Sequence, residues 1–186
     1  MLKDYILLYL KGNFSDVPVS FYVLLLVALC LGAILSFYKK ELRKGLHLFA
    51  FIILIEVVVL IFSATVFFRV TDQSVGYNLI PFWSYSMPSK DLQYSMYVEN
   101  LMNVLMFIPF GFSLGEAFKS ISWKTMIIIA MLLSLSIETL QFFLKKGFAE
   151  VDDVLHNTLG CLIGYGVYKG GIHLIRRIQR KRSIIE

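Results

Sequence analysis

Five apolar runs, each close to the length that crosses a bilayer, constrain this chain more than any other feature. They fall at Ser20–Tyr38, Leu46–Phe68, Asn100–Phe118, Lys124–Leu144 and Val154–Ile175, 19 to 23 residues each. At 1.5 Å per residue such runs span a hydrocarbon core of ~30 Å. The chain has 186 residues, 58% hydrophobic and only 17% charged. Soluble domains average about 25% charge, so the apolar surplus here is lipid-facing surface. The expectation is an all-α, polytopic membrane helix bundle with five transmembrane helices. Residues 1–19 form an N-terminal interfacial segment, 20–175 the bundle, and 176–186 a basic tail.

The net charge of +5 does not indicate nucleic acid, because most of it flanks apolar runs. Lys39, Lys40, Arg43 and Lys44 form one cluster, and Arg176, Arg177, Arg180, Lys181 and Arg182 another. Basic residues concentrate in cytoplasmic loops beside anionic lipid. With the N-terminus outside, eleven basic residues fall on inner segments, Lys119 and Lys124 included, and five on outer ones. The expected topology is therefore N-terminus outside and C-terminus cytoplasmic. The first run is not read as a cleavable signal, since its basic flank follows it and no A-x-A site comes after. MLKDYILLYLKG is too short to cross and is expected to lie in the interface. The outer loop from Val70 to Glu99 carries Pro81, Phe82, Trp83, Tyr85, Pro88, Tyr94 and Tyr97, aromatic enough to rest at the headgroup level. Cys30 and Cys161 lack a CxxC partner and read as small buried apolar side chains.

Polar side chains inside a bilayer are expensive, so their depth is informative. Asn100 and Asn103 share a face in the outer turns of the third span. Glu138 and Gln141 stand about 21 and 25 Å above Lys124. Asp152, Asp153, His156 and Asn157 sit where the fifth span begins. Three helices thus place Asn100, Asn103, Glu138, Gln141, Asp152, Asp153 and Asn157 at one outer level, expected to line a shared ligand cavity. Two plainer readings stay open: Asp152 or Asp153 caps the fifth helix, and the amides join helices. Gly160 and Gly164, with Gly171 beyond, and Gly111 with Gly115, form small-residue stripes suited to close helix packing. Pro109 is expected to kink the third span. Glu56, near the middle of the second span, reads as a structural or proton-relay residue.

Three segments carry a resemblance: ENLMNVLMFIPFGFSLG, SIETLQFF and VDDVLHNTLGCLIGYG, together with NLIPF at Asn78–Phe82. In this order and spacing they resemble the VanZ-like family of bacterial membrane proteins, over about residues 78–168. The resemblance implies a role at the outer face of the cell envelope and lowered sensitivity to teicoplanin. Members often carry an arginine in the loop after the ETLQ helix. Here that stretch reads KKGFAEVDD, so Lys145 or Lys146 stands in its place, although lysine does not reproduce bidentate anion binding.

No GxSxG, HExxH or P-loop is present. No cofactor is expected, and Asp152, Asp153, Glu138 and His156 make too short a set, without a His pair, to imply a metal. The leading expectation is a non-catalytic protein binding membrane lipid, in particular a lipid-linked cell-wall precursor or a lipophilic glycopeptide. Against it stand a headgroup-modifying enzyme with Glu138 or Asp153 as general base, and a small transporter or flippase using Glu56.

Overall fold

The computed structural model describes residues 2–14, 17–38, 42–69 and 76–185. Lys39 and Lys40 lie outside the described residues, as do the side chains of Arg43, Lys44, Arg176, Lys181 and Arg182 and the first part of the outer loop. The chain is mostly helical: α1 (Leu2–Phe14), α2 (Val19–Tyr38), α3 (Leu42–Phe62), α4 (Lys90–Ala117), α5 (Trp123–Phe143) and α6 (Val151–Ile185). Among the described residues, three helical stretches are long and apolar enough to cross a membrane: Gly45–Phe67, Lys90–Ala117 and Trp123–Phe143. Val19–Ile34 is a shorter apolar helix.

The fold departs from an all-α reading at one place. Strands β1 (Gly76–Asn78) and β2 (Phe148–Glu150) pair in parallel, with Gly76 opposite Phe148 and Asn78 opposite Glu150. Three residues carry too little alternation to announce a strand in sequence. Helix α4 also begins ten residues before the expected span, because Ser89 caps it by accepting a bond from Leu92 N at 3.2 Å. Tyr94 and Tyr97 therefore sit on helix, not in a loop. Helix α1 packs on this extension through Tyr5, whose hydroxyl donates to Asp91 at 3.2 Å and whose ring stacks on Tyr94.

Helix α3 runs into a π-helical turn, Ser63–Phe67. The wider turn misaligns backbone partners, and two hydroxyls compensate. Ser63 Oγ donates to Val59 O at 2.7 Å and Thr65 Oγ1 to Ile61 O at 2.8 Å.

Helices α4 and α6 form the centre. On α4 the buried residues Asn100, Asn103, Phe107, Phe110, Gly111, Leu114 and Ala117 recur every three or four positions, which makes one continuous face. A Cβ at Gly160 would lie 2.1 Å from Val104 O, one at Gly164 2.0 Å from Ile108 O, and one at Gly111 1.9 Å from Cys161 O. Only glycine permits that approach. The stripe ends there: Gly171, expected to extend it, has nothing within 4 Å. Cys161 is buried in this seam, whereas Cys30 is exposed on α2, not buried as its sequence suggests.

Helix α5 buries Met126, Ala130, Ser134, Ile137, Glu138 and Gln141. It exposes Ile128, Met131, Leu132 and Leu135 on the opposite side. Apolar outside and partly polar inside, it is built for lipid.

Candidate functional site

Most of the polar residues expected at one level are hydrogen-bonded together at one end of the bundle. Asp152, fully buried, is their anchor. Its Oδ1 accepts from Phe82 N at 2.5 Å, and its Oδ2 accepts from Ser84 N at 3.1 Å and Ser84 Oγ at 2.6 Å. Asp152 thus fastens the NLIPFWSY loop to α6. The three donors hold Phe82 in the left-handed region, φ 63°, a conformation that bulky residues rarely adopt unassisted. Asn100 Nδ2 donates to Ser84 Oγ at 2.9 Å, which ties α4 into the same knot.

Asn103 Nδ2 donates to Asp153 Oδ1 at 2.8 Å, joining α4 to α6. His156 Nδ1 lies 2.6 Å from the Asp152 carbonyl and must donate there, and its Nε2 is hydrogen-bonded to the Tyr85 hydroxyl at 2.7 Å. On α5, Glu138 Oε2 accepts from Glu150 N at 3.0 Å, and Trp83 Nε1 donates to Glu150 Oε2 at 3.0 Å. Loop, strand and three helices therefore meet within one set of hydrogen bonds.

Two expected residues act elsewhere. Gln141 Nε2 donates to Thr65 O of the π-helical turn at 3.0 Å, and Asn157 Nδ2 donates to Ser134 Oγ at 2.8 Å. Both join helices, the plainer of the two readings. Each leaves its amide oxygen buried without a hydrogen-bond partner among the described residues. Glu56 lies apart, on a 430 Å³ cavity that also touches Tyr22 of α2.

Of the seven expected site residues, Glu138 alone lines the cavity beside the network, a space of about 490 Å³. Its walls are Leu79, Met131, Leu135, Thr139, Phe142, Ala149, Val151 and Val154, with Tyr77 at the side and Glu138 and Glu150 supplying the acidic groups. Asn100, Asn103 and Asp153 stand behind it as support rather than lining. From Met131 to Phe142 the cavity follows α5 for about 16 Å, roughly half a hydrocarbon core.

Sequence reasoning missed Arg69, Glu99, Glu150 and Ser84. The guanidinium of Arg69 interacts electrostatically with the carboxylates of Glu99, Glu138, Glu150 and Asp153. It also lies over Gly147, where a Cβ would come 3.1 Å from a guanidinium nitrogen and where φ is +147°. Arg69 thus occupies, from a distant part of the chain, the space beside the loop after α5 for which an arginine was expected. Lys146 takes a different role, its ammonium donating to the Arg69 carbonyl. Burial, and then the charge of Glu99, push the Glu150 carboxyl up to about 7. Among the described residues, no three His, Cys, Asp or Glu side chains are grouped to hold a metal ion.

A family model described as VanZ/LLP1 matches residues 47–176, which includes Arg69 and the whole network. The chain belongs to the VanZ/LLP1 family. It is 32% identical over 96 residues to Protein VanZ of Enterococcus faecium, over 50% of this chain and 60% of that protein. The chain thus matches less than two thirds of the length of this curated relative. No solved structure matches it. Family membership and the three long apolar helices together make it a membrane protein.

Proposed function

We propose that this VanZ-like protein crosses the bacterial cytoplasmic membrane five times, N-terminus outside and C-terminus inside, and binds an amphiphile at its outer face. The ligand classes are a lipid-linked cell-wall precursor or a lipophilic glycopeptide, and the consequence is lowered sensitivity to teicoplanin-type antibiotics. The cavity beside α5 carries this reading. Its volume of about 490 Å³ suits a small-ligand cleft, its walls suit an acyl or prenyl tail, and its charged end suits a polar head. The resemblance to Protein VanZ supports the envelope role.

The test is to express the chain in a teicoplanin-sensitive host beside Leu135→Trp. Leu135 is 46% exposed and lines the cavity, so tryptophan fills the space without disturbing the core. The wild-type chain raises the inhibitory concentration and Leu135→Trp, present in the membrane at equal level, does not. Equal protection by both overturns the cavity's role. For the topology, cysteine placed at Ser89 reacts with an impermeant thiol reagent in intact cells and cysteine at Ser183 does not; the reverse pattern inverts the site.

A second reading, an enzyme that modifies such a headgroup, has one observation in its favour. Glu150, at the charged end of the cavity, titrates at about 7, where general acid–base groups work best. Turnover of a headgroup analogue, lost in Asp153→Asn or Glu150→Gln, decides for it.

A further inference from the structure

The charged groups that line the outer cavity, Glu138 and Glu150, are both acids. The cations nearby are turned to other work. Arg69 faces four carboxylates at once. Lys146 is bound to a backbone carbonyl. Lys145 is exposed and does not line the cavity. The remaining anion-attracting feature is the N-terminus of α6, and Asp152 and Asp153 already stand in its first turn. A phosphate entering this space would meet two acidic side chains in an apolar setting with no free cation among the described residues to accompany it, and burying an unpaired charge is strongly opposed.

The opposite charge fits. Among the described residues, Glu138 accepts one bond, from Glu150 N, and Glu150 one, from Trp83, while a carboxylate has about four acceptor positions. Tyr77 and Phe142, both in the cavity wall, set their rings 6.2 Å apart at 68°. Aromatic faces beside carboxylates favour a cationic head.

We propose that the outer cavity selects an amphiphile whose head is a protonated amine rather than a phosphate. The tail lies along Met131, Leu135 and Val154, and the ammonium donates to Glu138 and Glu150 beside the Tyr77 and Phe142 rings, which share the cavity wall. This narrows the ligand chemistry of the cavity and rests on its being an amphiphile site.

Three amphiphiles with one tail test it: dodecylamine, dodecyl phosphate and dodecyl maltoside. Each is titrated against the full-length protein in a neutral detergent with a different tail, near neutral pH, and bound copies are counted by native mass spectrometry. Dodecylamine should bind about tenfold more tightly than dodecyl phosphate, the scale of one retained charge interaction. Glu150→Gln narrows that preference, and the double substitution Glu138→Gln with Glu150→Gln removes it. Should the double variant not fold, Glu150→Gln, a change on a short half-buried strand, still decides. A phosphate bound as tightly as the amine, or an amine preference unchanged in Glu150→Gln, overturns the proposal. If all three bind equally and Leu135→Trp weakens all three, the amphiphile site stands and the amine selectivity falls. If none binds, or Leu135→Trp changes nothing, both readings fall.

Discussion

On its α4 side, helix α6 lays backbone against backbone; on its α5 side it stands off far enough to leave a cavity. The difference lies in which residues face each neighbour. Gly160 and Gly164 face Val104 and Ile108 with no side chain between. Toward α5, α6 presents Val151 and Val154 to the open space and Asn157 to Ser134. The paired strands and the Glu138–Glu150 bond hold α5 at its distance. A seam that close is rigid because it has no rotamers to rearrange, and a rigid seam lets the opposite side stay open without collapsing. The molecule thus uses one face of α6 for stability and the other for a site.

The heaviest way to break this contrast is to put bulk in the seam. Gly164→Leu places its Cβ 2.0 Å from the Ile108 carbonyl and 2.9 Å from Phe112 N. Both are backbone atoms and cannot rotate away. The expected cost exceeds ~3 kcal/mol, the upper range for overpacking, and size-exclusion chromatography of detergent extracts should show aggregate in place of a folded peak. Gly171→Leu, with open space around it, leaves the peak unchanged. Equal behaviour of the two variants would mean that α4 and α6 are not in backbone contact.

A milder break loosens the loop that closes the outer end. Asp152→Ala leaves Phe82 N, Ser84 N and Ser84 Oγ without their acceptor. Hydrogen bonds to a charged group contribute about 1.5–3 kcal/mol each, and water reaching the loop recovers part of the loss, so about 3 kcal/mol is expected. Hydrogen exchange at residues 82–85 should accelerate while the Gly160–Gly164 stretch keeps its protection. Acceleration throughout α6 would show that the loop and the seam unfold as one unit, against the division drawn above.

How much of this was readable from residues alone follows the same division. The seam was legible, because glycines at four-residue spacing on two apolar helices admit few other uses. That Asn100, Asn103, Glu138, Asp152 and Asp153 gather at one end of the bundle was legible too, since rise per residue converts position to height along a helix. Lateral position was not. Height alone could not tell that Gln141 turns to Thr65 or Asn157 to Ser134, away from the cavity. Arg69 was hidden for a related reason: it follows α3 and comes beside Gly147 only through the tertiary fold, while the sequence pointed to the adjacent Lys145 and Lys146. Glu150 and Ser84 sit in a three-residue strand and a single 3-10 turn, both too short to carry a period.

A smaller effect is expected where α5 and α6 are joined by one side-chain pair. Asn157→Leu removes the bond to Ser134 Oγ in the buried interior. Single interhelical hydrogen bonds in membranes contribute about 0.6–1.7 kcal/mol, and the buried, unpartnered Asn157 oxygen is removed as well, so a net loss of about 1 kcal/mol is expected. Unfolding in graded denaturing detergent should register it. A loss as large as that of Gly164→Leu would mean that α5 and α6 depend on this pair, and the strands are not what keeps them in register.

The smallest expected effect is also the one that tests the cavity's mouth, through the pH dependence of stability. Glu150 is faced by Glu99 of α4, Asp152 of α6, the Trp83 indole and Arg69, and interacts electrostatically with Glu138 of α5 and Asp153 of α6. Burial and the surrounding acids outweigh Arg69 and Trp83, raising its pKa from an ordinary 4.5 to about 7. Between those two values the folded chain holds a proton at this site that the unfolded chain has lost. Stability therefore falls as pH rises from about 4.5 to about 7 and levels off above it. Because Glu150 is only half-buried, solvent screening keeps the effect small, a few degrees of melting temperature at most. Glu150→Gln cannot titrate, so its melting temperature should fall less than that of the native chain between about pH 5 and about pH 7.5. The difference between the two curves isolates Glu150 from the other acids of the network. Curves of equal slope would mean that Glu150 is open to solvent and that the cavity meets water, not lipid, at its charged end. In that case the contrast between the two faces of α6 would hold for packing alone.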